Sequence, residues 1–226
     1  MLFLDLDGTL LDARARYYAT YVETLRAEDI GGLPIPEREF WFHRSEAKPW
    51  DELLKMSRLF PTKYEAFKDR FEERLEAPEM LLLDRVRSGS LTFLGKVYTK
   101  TPIVLVTLRR DGIALENQLA ELKIRSYFAE VLFGAPKRPR RPNKDLRWRH
   151  KAGLIRARYK MPPTDALLIG DTETDVGVAR SFAWEVFLVE GGHRSKRRQI
   201  KAEPDRIVAD LSASLKHLLP GGRWQR

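Results

Sequence analysis

Carboxylates recur in this chain in pairs, each pair closing a short apolar run. "MLFLDLD" ends on Asp5 and Asp7, and "ALLIGDTETD" ends on Asp171 and Asp175. A third run, "PIVLVT", ends on Thr107. Ligands of open parallel sheets bind beyond the carboxyl ends of the strands. If the three runs are neighbouring strands, four carboxylates and a hydroxyl converge on one sheet edge. Carboxylates so crowded repel one another unless a cation compensates them. Oxygen-only ligands favour a hard divalent ion, Mg²⁺ ahead of Ca²⁺. Taken singly, the pieces have plainer readings: Asp171 as the cap of the helix that follows, Thr107 as the end of a strand.

The elements that would position these groups are legible in the apolar pattern. Continuous Val/Ile/Leu-rich runs bounded by turn residues predict strands buried on both faces at 1–5, 102–107 and 166–171. "EVLFG" at 130–134 and "WEVFLVE" at 184–190 predict two more, and "RIVAD" at 206–210 an edge strand. Helical spacing follows each: Leu115, Leu119 and Leu122; Leu154, Ile155 and Tyr159; then "TDVGVARSFA" at 174–183 and "LSASLKHLL" at 211–219. Strands alternating with helices predict an α/β fold, a Rossmann-like three-layer sandwich around a parallel sheet. Residues 13–85 break the alternation. Tyr17, Tyr18, Tyr21, Val22 and Leu25 mark one helix face, Leu53, Leu54 and Met56 another, and Tyr64, Phe67, Phe71 and Leu75 a third. The expected organisation is a core of 1–12 and 86–226, with an all-helical domain of 13–85 inserted after the first strand. Its most evident loop is "GGLPIPER" at 31–38.

The motifs in order, "DLDGTLLD", "VLVT", a downstream lysine and "LLIGDTETD", resemble those of the haloacid dehalogenase superfamily. A helical insert after the first motif resembles the C1 cap of its phosphoglycolate-phosphatase-like members. The resemblance implies a phosphomonoester hydrolase. Asp5 is then the nucleophile that becomes an aspartyl phosphate, and Asp7 the acid and base. Mg²⁺ is held by Asp5, the backbone carbonyl of Asp7 and Asp171, with Asp175 in support. Thr107 donates to a phosphoryl oxygen, and the lysine offsets the charge of the transition state. Lys151 is preferred for that lysine, as the opening residue of a helix; Lys144 is the alternative. In the second motif "TLRR", Leu108 and Arg109 stand on the substrate side, and Leu108 occupies a position where many members carry a polar Asn. In the insert, Arg44 and Lys48 are candidates for contact with a small phosphorylated substrate. A phosphomutase of the β-phosphoglucomutase type shares both aspartates of the first motif, while Thr9 favours hydrolysis.

Composition narrows the field. The chain of 226 residues is 43% hydrophobic and has no cysteine, which excludes disulfides, thiolate metal sites and a cysteine nucleophile. Absence of cysteine fits a reducing cytoplasm. Met1 leads straight into the first apolar run, which leaves no room for a targeting segment. No run reaches the ~20 apolar residues that span a bilayer. The net charge of +9 is concentrated in 137–151, "KRPRRPNKDLRWRHK", eight Lys/Arg against the single Asp145. Read as a basic loop with Trp148 offered for stacking, this stretch supports a rival function, nucleic-acid binding on a hydrolase scaffold. A loop that steers an anionic substrate is the other reading of the same charge.

Overall fold

The structure, a computed structural model, describes residues 1–136 and 145–218. It divides into two compact units, Met1–Asp12 with Val86–Arg226, and Ala13–Arg85. Eight strands occur among the described residues: β1 (Leu2–Leu4), β2 (Leu11–Asp12), β3 (Arg85–Val86), β4 (Ile103–Thr107), β5 (Glu130–Phe133), β6 (Leu167–Gly170), β7 (Glu185–Val189) and β8 (Arg206–Val208). The two short ones, β2 and β3, lie where the chain passes between units.

Six strands form one parallel sheet, ordered β5-β4-β1-β6-β7-β8. Strand order runs outward in opposite directions from β1, so the crevice beside it is the switch point where such sheets bind ligands. Leu4 pairs with Leu105 on one side and Ile169 on the other. The residues that follow these positions therefore emerge together.

Alternation within the strands builds the three layers. Leu2, Leu4, Leu105, Leu167, Ile169 and Phe187 face one core, covered by helices Ser90–Val97, Gly112–Glu121 and Leu211–Leu218. Phe3, Val104, Val106, Leu168, Val186 and Leu188 face the other, covered by helices Leu146–Arg158 and Glu173–Arg180. There Phe3 stacks on Trp184 with ring centroids 4.4 Å apart. Both faces being buried explains why the strands read as unbroken apolar runs.

The second unit is helical: Arg14–Arg26, Glu37–Ser45, Trp50–Met56, Tyr64–Arg74 and Pro78–Leu81. Tyr21, Leu25, Phe40, Leu53, Leu54, Phe67 and Phe71 form its core. A fully buried pair, Arg16 Nε to Asp84 Oδ1 at 2.9 Å, ties its first helix to its last residues. Helix Glu37–Ser45 begins inside the stretch read as a loop; only its Phe40 is buried, so its periodic signal is thin. No helix among the described residues is long and apolar enough to cross a membrane.

One expectation is corrected. Helix Leu146–Arg158 starts within the stretch read as a basic loop, so residues 146–151 are helical and Lys151 sits in the second turn. The Asp145 carbonyl accepts the Arg149 amide at 3.0 Å, which closes the first turn. In this turn half-buried Trp148 packs so close to Gly177 that a Cβ there would lie 2.6 Å from its ring, and its indole N–H donates to Asp145 Oδ1 at 3.2 Å. Residues 137–144, which include Lys144, lie outside the described residues.

Candidate active site

The site grows from β1. The Asp5 amide donates to the Ile169 carbonyl at 2.9 Å, continuing the sheet by one bond and setting Asp5 in the crevice between β1 and β6. The chain then turns at Gly8, whose φ of +86° belongs to the left-handed region that favours glycine. A Cβ on Gly8 would lie 2.2 Å from Asp171 Oδ2. The first motif and the end of β6 can approach this closely only because that side chain is absent.

Lys151 is the hub. Its helix packs on the sheet and carries the ammonium into the crevice, where Nζ donates to Asp5 Oδ1 at 2.5 Å and Asp175 Oδ1 at 2.7 Å. The side chain is 2% exposed. Burial alone would push the Lys151 pKa down; the charges of Asp175 and Asp5 hold it above the usual lysine range. For Asp5, burial dominates and pushes the carboxyl up to about 7, against the pull of Lys151 and with repulsion from Asp175 and Asp171. Asp175 goes the other way. Burial raises it, but Lys151 and the bonds from Thr172 outweigh that and leave it below the usual carboxylate range.

Asp175 is also structural. With Thr172 it forms the capping box of helix Glu173–Arg180, Oδ2 accepting from the Asp171 amide at 3.2 Å and the Thr172 amide at 3.1 Å. Thr172 is thus the cap, and Asp171 is left for another task. Its Oδ2 accepts the His193 amide at 2.5 Å, and its Oδ1 is buried without a hydrogen-bond partner among the described residues. Carboxylate oxygens of Asp5, Asp171 and Asp175 lie within 4.8 Å of one another. Three carboxylates against one ammonium leave an excess of negative charge, and the orphaned Asp171 oxygen points to a missing partner. The donor set is all oxygen. These residues fit a divalent cation.

The other predicted residues fall as follows. Thr107 ends β4 and is buried. Asp7 is not in the carboxylate cluster: both its oxygens accept from Arg109, Nε to Oδ2 and Nη2 to Oδ1, each at 2.7 Å. Arg109, read as a substrate contact, is thus engaged with Asp7 and only 3% exposed. Leu108 is half-buried between them in sequence. Arg44 and Lys48 belong to the helical unit, where Arg44 covers the Trp50 ring at 4.5 Å and Lys48 pairs with Glu52 at 2.6 Å.

Sequence reasoning missed the residues behind Asp171. His193 follows β7, and buried Gln199 donates to the carbonyls of Asp171 at 3.0 Å and Val189 at 2.8 Å. Arg87 likewise ties the carbonyls of Gly8 and Glu190 together. The rule that located the aspartates also applies to "EGGH" after β7, so His193 was within its reach.

Residues 144–214 match the family model described as HAD-hydrolase-like. A curated protein of Mycoplasma genitalium named "Putative phosphatase MG265" is 28% identical over 109 residues, 48% of this chain and 38% of that protein. The chain thus spans well under half the length of this relative. Solved structures agree over nearly the full length. A haloacid dehalogenase-like family protein from Streptococcus pneumoniae superposes with TM-score 0.74 at 19% identity, over 96% of this chain and 97% of the other. A protein from Haemophilus somnus described as a predicted phosphoglycolate phosphatase gives 0.71 at 19%, over 96% of each chain. One from Thermotoga maritima described as a putative β-phosphoglucomutase gives 0.63 at 21%, over 96% and 99%. The chain thus shares the fold of haloacid dehalogenase-like proteins, and its residues 144–214 are similar to the HAD-hydrolase-like family model.

Proposed function

We propose that the protein is a Mg²⁺-dependent phosphomonoester hydrolase working through an aspartyl phosphate on a small phosphorylated metabolite. The observation that carries this reading is buried Lys151 bridging Asp5 and Asp175 beside the orphaned Asp171 oxygen. Such a crevice holds a nucleophile and a fixed cation together, out of water. Asp5 attacks phosphorus, and the ester P–O bond breaks as Asp7 gives its proton to the departing alkoxide. Asp7, now a carboxylate, takes a proton from water. The water oxygen attacks phosphorus, the bond to Asp5 breaks, and inorganic phosphate leaves. Thr107 donates to a phosphoryl oxygen, and Lys151 stabilises the charge spread over these oxygens in both steps. Asp5, Asp171 and the Asp7 carbonyl would hold Mg²⁺, with Asp175 behind them, and the ion would offset the charge between nucleophile and phosphate. In this reading Ala13–Arg85 serves as a cap that selects substrate, with Arg44 and Lys48 as candidate contacts.

A phosphomutase uses the same first step, and the fold is shared with the protein described as a β-phosphoglucomutase. Thr9 stands where mutases of that type often carry a small apolar residue, which favours hydrolysis; its hydroxyl donates to Asp5 Oδ2 at 3.4 Å. Phosphate release over a panel of phosphorylated metabolites, with Mg²⁺ and after chelation, tests the proposal. Wild-type protein releases phosphate without any sugar bisphosphate, and Asp5→Asn does not. Turnover by Asp5→Asn, or undiminished turnover after exhaustive chelation, refutes it.

A further inference from the structure

The pair between Arg109 and Asp7 is the best-formed contact at the sheet edge that the mechanism above leaves without a task. Each residue lies two positions beyond the last residue that brings its strand to the edge, Asp7 after Asp5 and Arg109 after Thr107. Because β1 and β4 are paired neighbours, with Leu4 opposite Leu105, these extensions run side by side. The guanidinium is 3% exposed and takes both carboxylate oxygens at 2.7 Å. A fork-to-fork pair fixes the plane of a carboxylate as well as its place, which a single contact or a lysine does not.

Resting on the phosphatase reading, we propose that Arg109 is a positioning residue for Asp7. It sets the plane of the Asp7 carboxyl group, which as the carboxylic acid gives its proton to the leaving-group oxygen and is left as the carboxylate, and it is not a substrate anchor. The Asp7 carboxyl, one residue before the turn at Gly8, is 16% exposed, and the buried Arg109 fork takes both its oxygens. General acid catalysis contributes about 10²–10⁴-fold when the donor is well placed. Small misplacements of a reacting group are costly, so loosening this plane forfeits part of that factor.

The signature is sensitivity to the leaving group. An alkoxide needs protonation to depart, whereas p-nitrophenolate leaves without it. The quantity to measure is the ratio of kcat/KM for an alkyl phosphate to kcat/KM for p-nitrophenyl phosphate, which reports only steps up to the first bond cleavage. Arg109→Met should lower this ratio by about 10–100-fold, a share of the general-acid factor. Arg109→Lys, which keeps the charge and loses the fork, should lower it too, and it serves if the methionine variant folds poorly. Asp7→Asn should lower the ratio at least as far, and adding Arg109→Met to it should lower it no further, because coupled residues are non-additive. If Asp7→Asn is selective but both Arg109 variants lose activity equally on the two substrates, Arg109 binds the phosphoryl group and the inference falls alone. If Asp7→Asn is not selective either, the assignment of Asp7 fails and takes this inference with it.

Discussion

Replacing Lys151 by methionine removes the ammonium while keeping most of the side-chain volume, so the change isolates charge from packing. In the native site Nζ contacts Asp5 at 2.5 Å and Asp175 at 2.7 Å, and the side chain is 2% exposed. Removing one partner of a buried ion pair costs about 3–5 kcal/mol, because the other is left uncompensated. Two carboxylates lose their partner here, but Asp5 can escape by taking a proton. Burial already pushes its carboxyl up to about 7 with the lysine present. The sign follows from linkage. An ordinary unfolded carboxyl titrates near 3.9, so between about 4 and 7 the folded, ion-free protein binds the extra proton, and stability falls as pH rises through that window. Without Lys151 the window extends further upward. The destabilisation should therefore be modest at pH 5.5 and approach the full ~3–5 kcal/mol at pH 8. For a chain of this size that is a fall in Tm of about 6–20 °C. Thermal unfolding with chelator at both pH values reads it directly. Phosphate release at saturating substrate reads the second consequence, a loss of about 10³-fold or more, since an active-site cation contributes several kcal/mol to the transition state. A Lys151→Met protein as stable as wild type at pH 8, or one that turns over normally, refutes the placement of the ammonium at the centre of the site.

The cation reading predicts that Mg²⁺ raises Tm, and by more at pH 8 than at pH 5.5, because protons and the metal compete for the Asp5 carboxylate; an equal shift at both values counts against the site. Ca²⁺, with its looser coordination, should be a poor substitute in turnover. Asp5→Asn should raise the Tm of the chelated protein at pH 8, since it deletes one of three crowded carboxylates without changing volume; a lowered Tm under those conditions would mean the repulsion is already relieved. Gly8→Ala should cost at least ~1–3 kcal/mol from its positive φ alone, and more from the 2.2 Å approach to Asp171 Oδ2. Unfolding by urea measures that cost, and a neutral substitution would show that the turn relaxes freely.

Much of this molecule is written locally in the chain. Runs such as "VLVT" and "LLIG" are short, β-branched or leucine-rich and closed by turn residues, so their strands and the parallel sheet follow from burial on both faces. The aspartates sit at strand ends because sequence neighbours must leave the sheet together, which made Asp5, Asp171 and Asp175 legible as one group; Asp7, expected with them, turns to Arg109 instead. Boundaries were less so. Helix Leu146–Arg158 reaches back into basic residues, where Trp148 packs against Gly177 of another helix, a contact that no local pattern announces. The pairings at the site are of the same kind. Lys151 reaches Asp5 across 146 positions and Arg109 reaches Asp7 across 102. No local pattern marks either contact, since each depends on strand register and on the packing of a helix against the sheet. Even Asp175 has two duties that spacing alone cannot separate, a helix cap through Oδ2 and an ion pair through Oδ1. The sequence by itself determined the kinds of groups present and the edge at which they gather. The tertiary structure decided their partners, because charge compensation in a buried crevice depends on distances of a few ångströms between residues far apart in the chain.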